Sequence, residues 1–193
     1  LFPYPTLFRS VLFNNASAVP LRRVENSEGR EMQFAVNVLG YMRMIRAFAG
    51  RLADGAAESG MWSRIVNVAS YWAGDLDVND LEFRRRPYSA GTAYRQSKQA
   101  ERMLTAVLAA ELSGRRITVN ACHPGEVNTP LSNALGFGGH ESPDEGADTP
   151  AWLAVDPSLE GITGGWFKYR EKSACRFAAD MQARRELYAR LPE

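Results

Sequence analysis

Residues 92–125 read TAYRQSKQAERMLTAVLAAELSGRRITVNACHPG. Ala93, Ala100, Leu104, Val107 and Leu108 fall on one stripe, and the spacing predicts a helix over Thr92–Leu112. Ser113-Gly114 ends it. Ile117–Ala121 is short, apolar and partly β-branched, so it reads as a strand, broken by His123-Pro124-Gly125. A long helix feeding a buried strand is half of a parallel crossover unit.

The pattern repeats on either side. Ile65–Val68 is a second strand. Upstream, Phe34, Val38, Met42 and Ile45 predict a helix from Glu31 to about Leu52, ended near Asp54-Gly55. Val11–Phe13, stopped by Asn14-Asn15, reads as the end of a buried strand. Asp75–Gly91 is polar and turn-rich, a loop or lid. Downstream, Asn133–Asp148 is rich in Gly, Ser and acid and reads as mobile. Glu145–Val155 reads as a short helix interrupted at Pro150, Gly164–Tyr169 as a last strand, and Cys175–Leu191 as a terminal helix. Strand and helix alternate, which predicts an α/β fold with a parallel sheet. Such sheets bind ligands beyond the carboxyl ends of their strands. The polar breaks at Asn14, Ser70 and His123 would then meet in one crevice.

Composition narrows the function classes. The 193 residues are 45% hydrophobic and 23% charged, with net charge +1, which suits one globular domain. A balance so near neutral implies neither a nucleic acid nor an acidic membrane as partner. No apolar run reaches the ~18 residues of a membrane span. Cys122 and Cys175 cannot make a disulfide framework, nothing marks a secreted chain, and a cytoplasmic location is expected. His123 and His140 with the two cysteines lack the spacing of a zinc site, so no metal is expected. Residues 1–10, LFPYPTLFRS, resemble LFPYTTLFRS, one reading frame of a common sequencing-library adapter; they are expected to be a non-native scar.

Tyr94 and Lys98 stand four apart and share a helix face one turn apart. A fixed ammonium favours phenolate, so Lys98 is expected to lower the Tyr94 pKa toward working pH, where a general acid/base is most effective. Ser70, at a strand end, can donate a hydrogen bond to a substrate oxygen. Seven Tyr and three Lys yield such a pair by chance in about one sequence in ten, so the pair alone is a weak signal.

Further motifs accompany it, in order along the chain. These are Asn14-Asn15-Ala16-Ser17; Asn37 within Val36–Gly40; Ser70 at the end of Arg64–Ser70; Tyr94-Arg95-Gln96-Ser97-Lys98; and Pro124-Gly125-Glu126-Val127-Asn128-Thr129. With these, residues from Val11 to about Leu191 resemble the short-chain dehydrogenase/reductase family. They match its NNAG, YxxSK and PGxVxT patterns. The long Ser70-to-Tyr94 interval, Glu145-Gly146-Ala147 and Gly164–Phe167 resemble its retinol-dehydrogenase and WW-domain-oxidoreductase-like branch.

The resemblance implies a Rossmann-like three-layer αβα fold with a mainly parallel sheet, and hydride transfer between NAD or NADP and an alcohol or carbonyl. It implies Tyr94 as general acid/base, Lys98 as the group that lowers its pKa and binds the nicotinamide ribose, and Ser70 as holder of the substrate oxygen. Asn37 would anchor a water in a proton relay. Its bland alternative is a satisfied helix-interior Asn. Pro124, Gly125, Val127 and Thr129 would line the nicotinamide, and Asn14 and Ala16 the adenosine side. A small-molecule substrate follows, and a homo-oligomer stays open.

Two departures stand out. Ser17 replaces the family Gly, and its Cβ would crowd the cofactor. No TGxxxGxG occurs, and Gly136-Phe137-Gly138-Gly139 follows no strand and makes a poor phosphate cradle. With Leu rather than Met at position 1, the expectation is that residues 11–193 are the back two-thirds of one domain, lacking its first βα units. Arg84-Arg85-Arg86 reads as a solvated run, with an NADP-phosphate or partner contact as the alternative. Tyr71 and Trp72 are either core or an apolar substrate wall. Two other functions compete: a catalytically silent binding protein on the same scaffold, and an extended-type nucleotide-sugar epimerase or dehydratase. NNAS and PGEVNT disfavour the latter.

Overall fold

A computed structural model describes residues 10–192; the adapter-like string at 1–9 lies outside the described residues, as does Glu193. Five strands form one sheet in the order β1-β2-β3-β4-β5. They are β1 (Val11–Asn14), β2 (Ser63–Val68), β3 (Ile117–His123), β4 (Trp166–Lys168) and β5 (Glu171–Ser173). The first four run parallel, and β5 returns antiparallel to β4. This is the expected Rossmann-like α/β sheet, with one antiparallel edge.

Side-chain alternation along the strands builds a core on each face. Ile65, Ile117 and Val119 point to one face and pack under helices α1 (Tyr41–Ser59) and α2 (Ala90–Leu112). Met42, Ile45, Ala49 and Leu52 from α1 and Ala100, Met103, Leu104 and Leu108 from α2 complete that core. Val66, Val68 and Cys122 point the other way and meet Leu153 and Ala154 of α4 (Pro143–Val155). Strands β2 and β3 are buried along their whole length. A polar ladder crosses the inner layer: Asn14 Nδ2 donates to Asn67 Oδ1 at 2.9 Å, and Asn67 Nδ2 to Thr105 Oγ1 at 3.0 Å.

Several expectations need correction. β1 is half-open rather than buried, with Val11 39% and Phe13 42% exposed, because among the described residues it pairs only with β2. The first helix runs past Asp54-Gly55 to Ser59, after a π-helical stretch at Phe34–Gly40. It stops at Gly60, whose φ of 75° supplies the left-handed residue that ends helices. The stretch expected to be mobile, Asn133–Asp148, holds the end of α3 (Pro130–Ala134) and the start of α4. Pro150 does not interrupt α4, since one missing N–H is outweighed by the packing of Leu153 and Ala154 on the sheet. The terminal helix is two, α5 (Arg176–Ala179) and α6 (Met181–Ala189), divided at Asp180, which caps α6 by accepting from Ala183 N–H at 2.9 Å. β4 ends at Lys168, because Tyr169 and Arg170 both take positive φ and turn the chain back.

Candidate active site

The carboxyl ends of β1, β2 and β3 do open on one crevice. A cavity of about 850 Å³ lies there, bounded by Ser70, Tyr94 and Lys98 and by the turn Pro124–Val127. Thr129 and the first half of α4 close the far side. So seven of the residues singled out in the sequence share one wall system: Ser70, Tyr94, Lys98, Pro124, Gly125, Val127 and Thr129.

Each is held by local structure. Ser89 starts α2 by accepting the Thr92 N–H, and two turns on Tyr94 and Lys98 reach the end of β2. Ser70 lies two residues past β2; its Oγ accepts the Trp72 N–H at 3.1 Å, and it shares the cavity wall with Tyr94. Gly125 takes φ +106°, and a Cβ there would strike the Glu141 carboxylate. Glu141 accepts the Glu126 N–H and so fixes the turn. Thr129 caps α3 through a reciprocal pair with Ser132.

The electrostatics differ from the expectation. Tyr94 is only 7% exposed, and its phenol pKa is raised, not lowered. Burial is the largest influence; the Lys98 charge and the Ser70 hydrogen bond pull down, and Glu101 pushes up again. Lys98 is fully engaged, donating to Val68 O at 3.0 Å and to the two Glu101 carboxylate oxygens at 2.9 and 3.1 Å. Sequence reading passed over Glu101, although its place three residues after Lys98 on the same face was a usable signal.

Other residues sit away from the cavity. Asn37 is buried, and its amide is saturated. Its Oδ1 accepts from Ala18 N–H at 2.8 Å and Ser17 Oγ at 3.3 Å; its Nδ2 donates to Ala18 O and to Ser97 Oγ. No side-chain donor or acceptor is left for the expected water, so only its main chain could hold one. Asn14 turns inward to Asn67, and it is Asn15 and Ser17, not Asn14 and Ala16, that line the cavity.

Tyr71 and Trp72 are wall rather than core. The Trp72 ring lies 5.8 Å from that of Tyr94 and 5.3 Å from that of Phe137. The Arg84–Arg86 run is a loop anchor: its three N–H groups converge on the Asp80 carboxylate at 2.7, 3.2 and 3.1 Å. Among the described residues no cluster of His, Cys, Asp or Glu could hold a metal, both cysteines are free, and no helix is long and apolar enough to cross a membrane.

The residues present fit the reactive end of a dinucleotide: an open cavity beside Tyr94, bounded by the Pro124–Val127 turn and Thr129. Nothing in the sequence supplies a Gly-rich cradle for its pyrophosphate.

Comparison with known proteins agrees. The family model described as short chain dehydrogenase matches residues 10–136. Human retinol dehydrogenase 14 is 34% identical over 194 residues, covering 92% of this chain and 56% of its own length. Human polyprenol dehydrogenase is 34% identical over 84% of this chain and 53% of its own. The chain therefore spans about half the length of these curated relatives. Among solved structures, an uncharacterised protein from Mycobacterium paratuberculosis superposes with a TM-score of 0.72 at 26% identity, over 94% of this chain and 65% of that one. The 3-ketoacyl-(acyl-carrier-protein) reductase of Brucella melitensis, complexed with NADH, gives 0.63 at 29% identity, over 83% of this chain and 65% of that one.

Proposed function

Since the chain belongs to the short chain dehydrogenase family, we propose that it carries the catalytic part of an NAD(P)-dependent oxidoreductase that interconverts an alcohol and a carbonyl. The observation that carries this reading is the convergence of Ser70, Tyr94 and Lys98 on one cavity wall, with the phenol buried. In reduction Tyr94 gives its proton to the substrate oxygen; in oxidation it takes the proton back. Ser70 donates a hydrogen bond to that oxygen and fixes it beside the phenol. Lys98 supplies the positive charge that makes the phenolate accessible. The chemistry a bound nicotinamide dinucleotide contributes is hydride exchange with the carbon bearing the oxygen. Pro124, Gly125, Val127 and Thr129 would hold its nicotinamide end, and Asn15 and Ser17 lie where the chain leaves β1. Asn37 acts as a positioning residue, tying residues 17 and 18 to Ser97, next to Lys98.

The substrate side is apolar. Trp72, Leu131, Phe137, Pro150 and Ala151 face the cavity, which suits a bulky hydrophobic alcohol or aldehyde. Relatives named for retinol and polyprenol support that choice. The test is Tyr94→Phe in the protein that carries this chain, assayed with both dinucleotides on long-chain and isoprenoid alcohols. A loss of roughly 10²–10⁴-fold in kcat with little change in KM is expected. Turnover near wild type would sink the reading.

A further inference from the structure

The three N–H donors of Lys98 all end inside the protein, two of them on Glu101. Lys98 is 2% and Glu101 3% exposed. The groups facing this pair come from three elements. Tyr41 on α1 donates its hydroxyl to Val68 O at 3.3 Å, and its ring lies 5.8 Å from Lys98 Nζ. On α2, the Tyr94 ring lies 5.6 Å from that nitrogen. Cys122 on β3 is within electrostatic reach of both charges. Burial pushes Tyr41 and Cys122 well above neutrality, so both are uncharged there. The adjacent Arg102 stacks instead on Trp166, 3.9 Å from its ring centroid. Thr105 donates to the Glu101 backbone carbonyl, not to its carboxylate. Lys98 is therefore the one cation against the Glu101 carboxylate among the described residues.

Burying both partners carries a desolvation penalty that a fold could avoid with an apolar side chain at position 101. The geometry gives the carboxylate a purpose. We propose that Glu101 is a positioning residue for the Tyr94–Lys98 couple: its carboxylate pins the Lys98 ammonium to the end of β2 and offsets the charge that Lys98 presents to Tyr94. This role rests on the Tyr94 proton-transfer reading above.

The titration of the group supports it. Burial pushes Glu101 up to about 7, against the opposing pull of Lys98. Below that pH Glu101 is neutral, the Lys98 charge is unopposed, and the Tyr94 phenol is drawn down. Above it the carboxylate forms, and the phenol is pushed up. Glu101 also raises Lys98, so losing the carboxylate lets burial pull the ammonium down.

The scarcity of lysine makes a direct test feasible. With only Lys98, Lys168 and Lys172 in the chain, 13C labelling at the lysine Cε gives three signals, and Lys98→Arg identifies one. Tyr94 ionisation is read as the 295 nm absorbance difference from Tyr94→Phe. In Glu101→Gln both the Lys98 signal and the Tyr94 phenol should titrate at lower pH, by about one unit or more. Glu101→Asp should return both toward wild type. Should the Gln variant fail to fold, the wild-type chain still decides: its Lys98 signal should carry an inflection near pH 7 that Lys168 and Lys172 lack. Unchanged Lys98 and Tyr94 titrations in Glu101→Gln, or a wild-type Lys98 signal flat through neutrality, would overturn the proposal. Neither readout needs cofactor or turnover. Coupling without Tyr94-dependent turnover therefore sinks the redox reading, and turnover without coupling sinks this one.

Discussion

The imidazole of His123 is 5% exposed, and neither ring nitrogen has a hydrogen-bond partner among the described residues. It lines the cavity at the end of β3, with the Tyr71 ring edge-on at 4.7 Å and Tyr169 at 6.3 Å. Burial, then Lys168 and Arg102, pushes its pKa down from 6.5 to about 4. The depressed value makes the folded state bind its proton less readily than the unfolded chain. Its contribution is whole above pH 6.5 and is lost as pH falls toward 4. His123→Phe keeps a ring between the two tyrosines and removes the titration. Urea unfolding should show the wild-type advantage over this variant shrinking by about 3 kcal/mol between pH 7 and pH 4; a constant difference refutes it. At this scale the sequence was legible where spacing carries chemistry. Ser70, Tyr94 and Lys98 stand where their strand end and helix face put them. Glu101 was legible only in part: its place three residues after Lys98 marks a partner on one face, but an acid on a helix ordinarily faces water, and only the packed end of β2 turns it inward. The placement of Asn14 has a simpler reason: residue 14 of β1 turns to Asn67, and Asn15 faces the cavity.

Among the elements, α4 decides how tightly the cavity closes. Ser142 and Glu145 form its reciprocal cap, and Pro143 opens its first turn. Gly146 then lies against Val127, and a Cβ built at 146 would overlap the Val127 side chain. Alanine there gains about 1 kcal/mol of helix propensity over glycine. Overpacking against a wedged side chain costs roughly 1–3 kcal/mol. The clash should win, so Gly146→Ala is expected to lower the melting temperature and move α4 off the Pro124–Thr129 turn. Because Val127 lines the cavity, KM should rise more than kcat falls. An equal or higher melting temperature would show that α4 has room to spare. The S-P-D-E signature of this helix was present in the sequence, yet the surrounding Gly, Ser and acid residues pointed to mobility. Composition over a window hides a cap that lives in four residues. The end of α1 failed the same way, since Gly55 continues a helix at ordinary φ while Gly60, at positive φ, ends it.

For the whole molecule, alternating apolar runs and helical stripes were enough to establish a parallel sheet with helices on both faces. The β4–β5 hairpin was not readable, because Glu-Lys-Ser has neither apolar content nor period and is a strand only by pairing with Trp166–Lys168. The same whole-molecule view bears on cofactor binding. On the proposed reading the cavity would supply the nicotinamide end with a shaped wall, whereas the pyrophosphate of a dinucleotide is held by backbone N–H groups and a helix N-terminus. This sequence offers no Gly-rich turn to present them, and Ser17 adds a side chain where the chain leaves β1. Along β1 the exposed Val11 and Phe13 flank a strand that pairs with β2 alone among the described residues. An edge of that kind is a template for pairing with another copy. Fluorescence titration of the 193-residue chain with NADH and with NADPH should therefore give dissociation constants above roughly 1 mM, about −4 kcal/mol. Phe13→Lys should reduce self-association in sedimentation without tightening that binding. Saturation at micromolar dinucleotide would mean that Ser70 through Thr129 suffice to hold the whole cofactor, and that the pyrophosphate cradle is dispensable here.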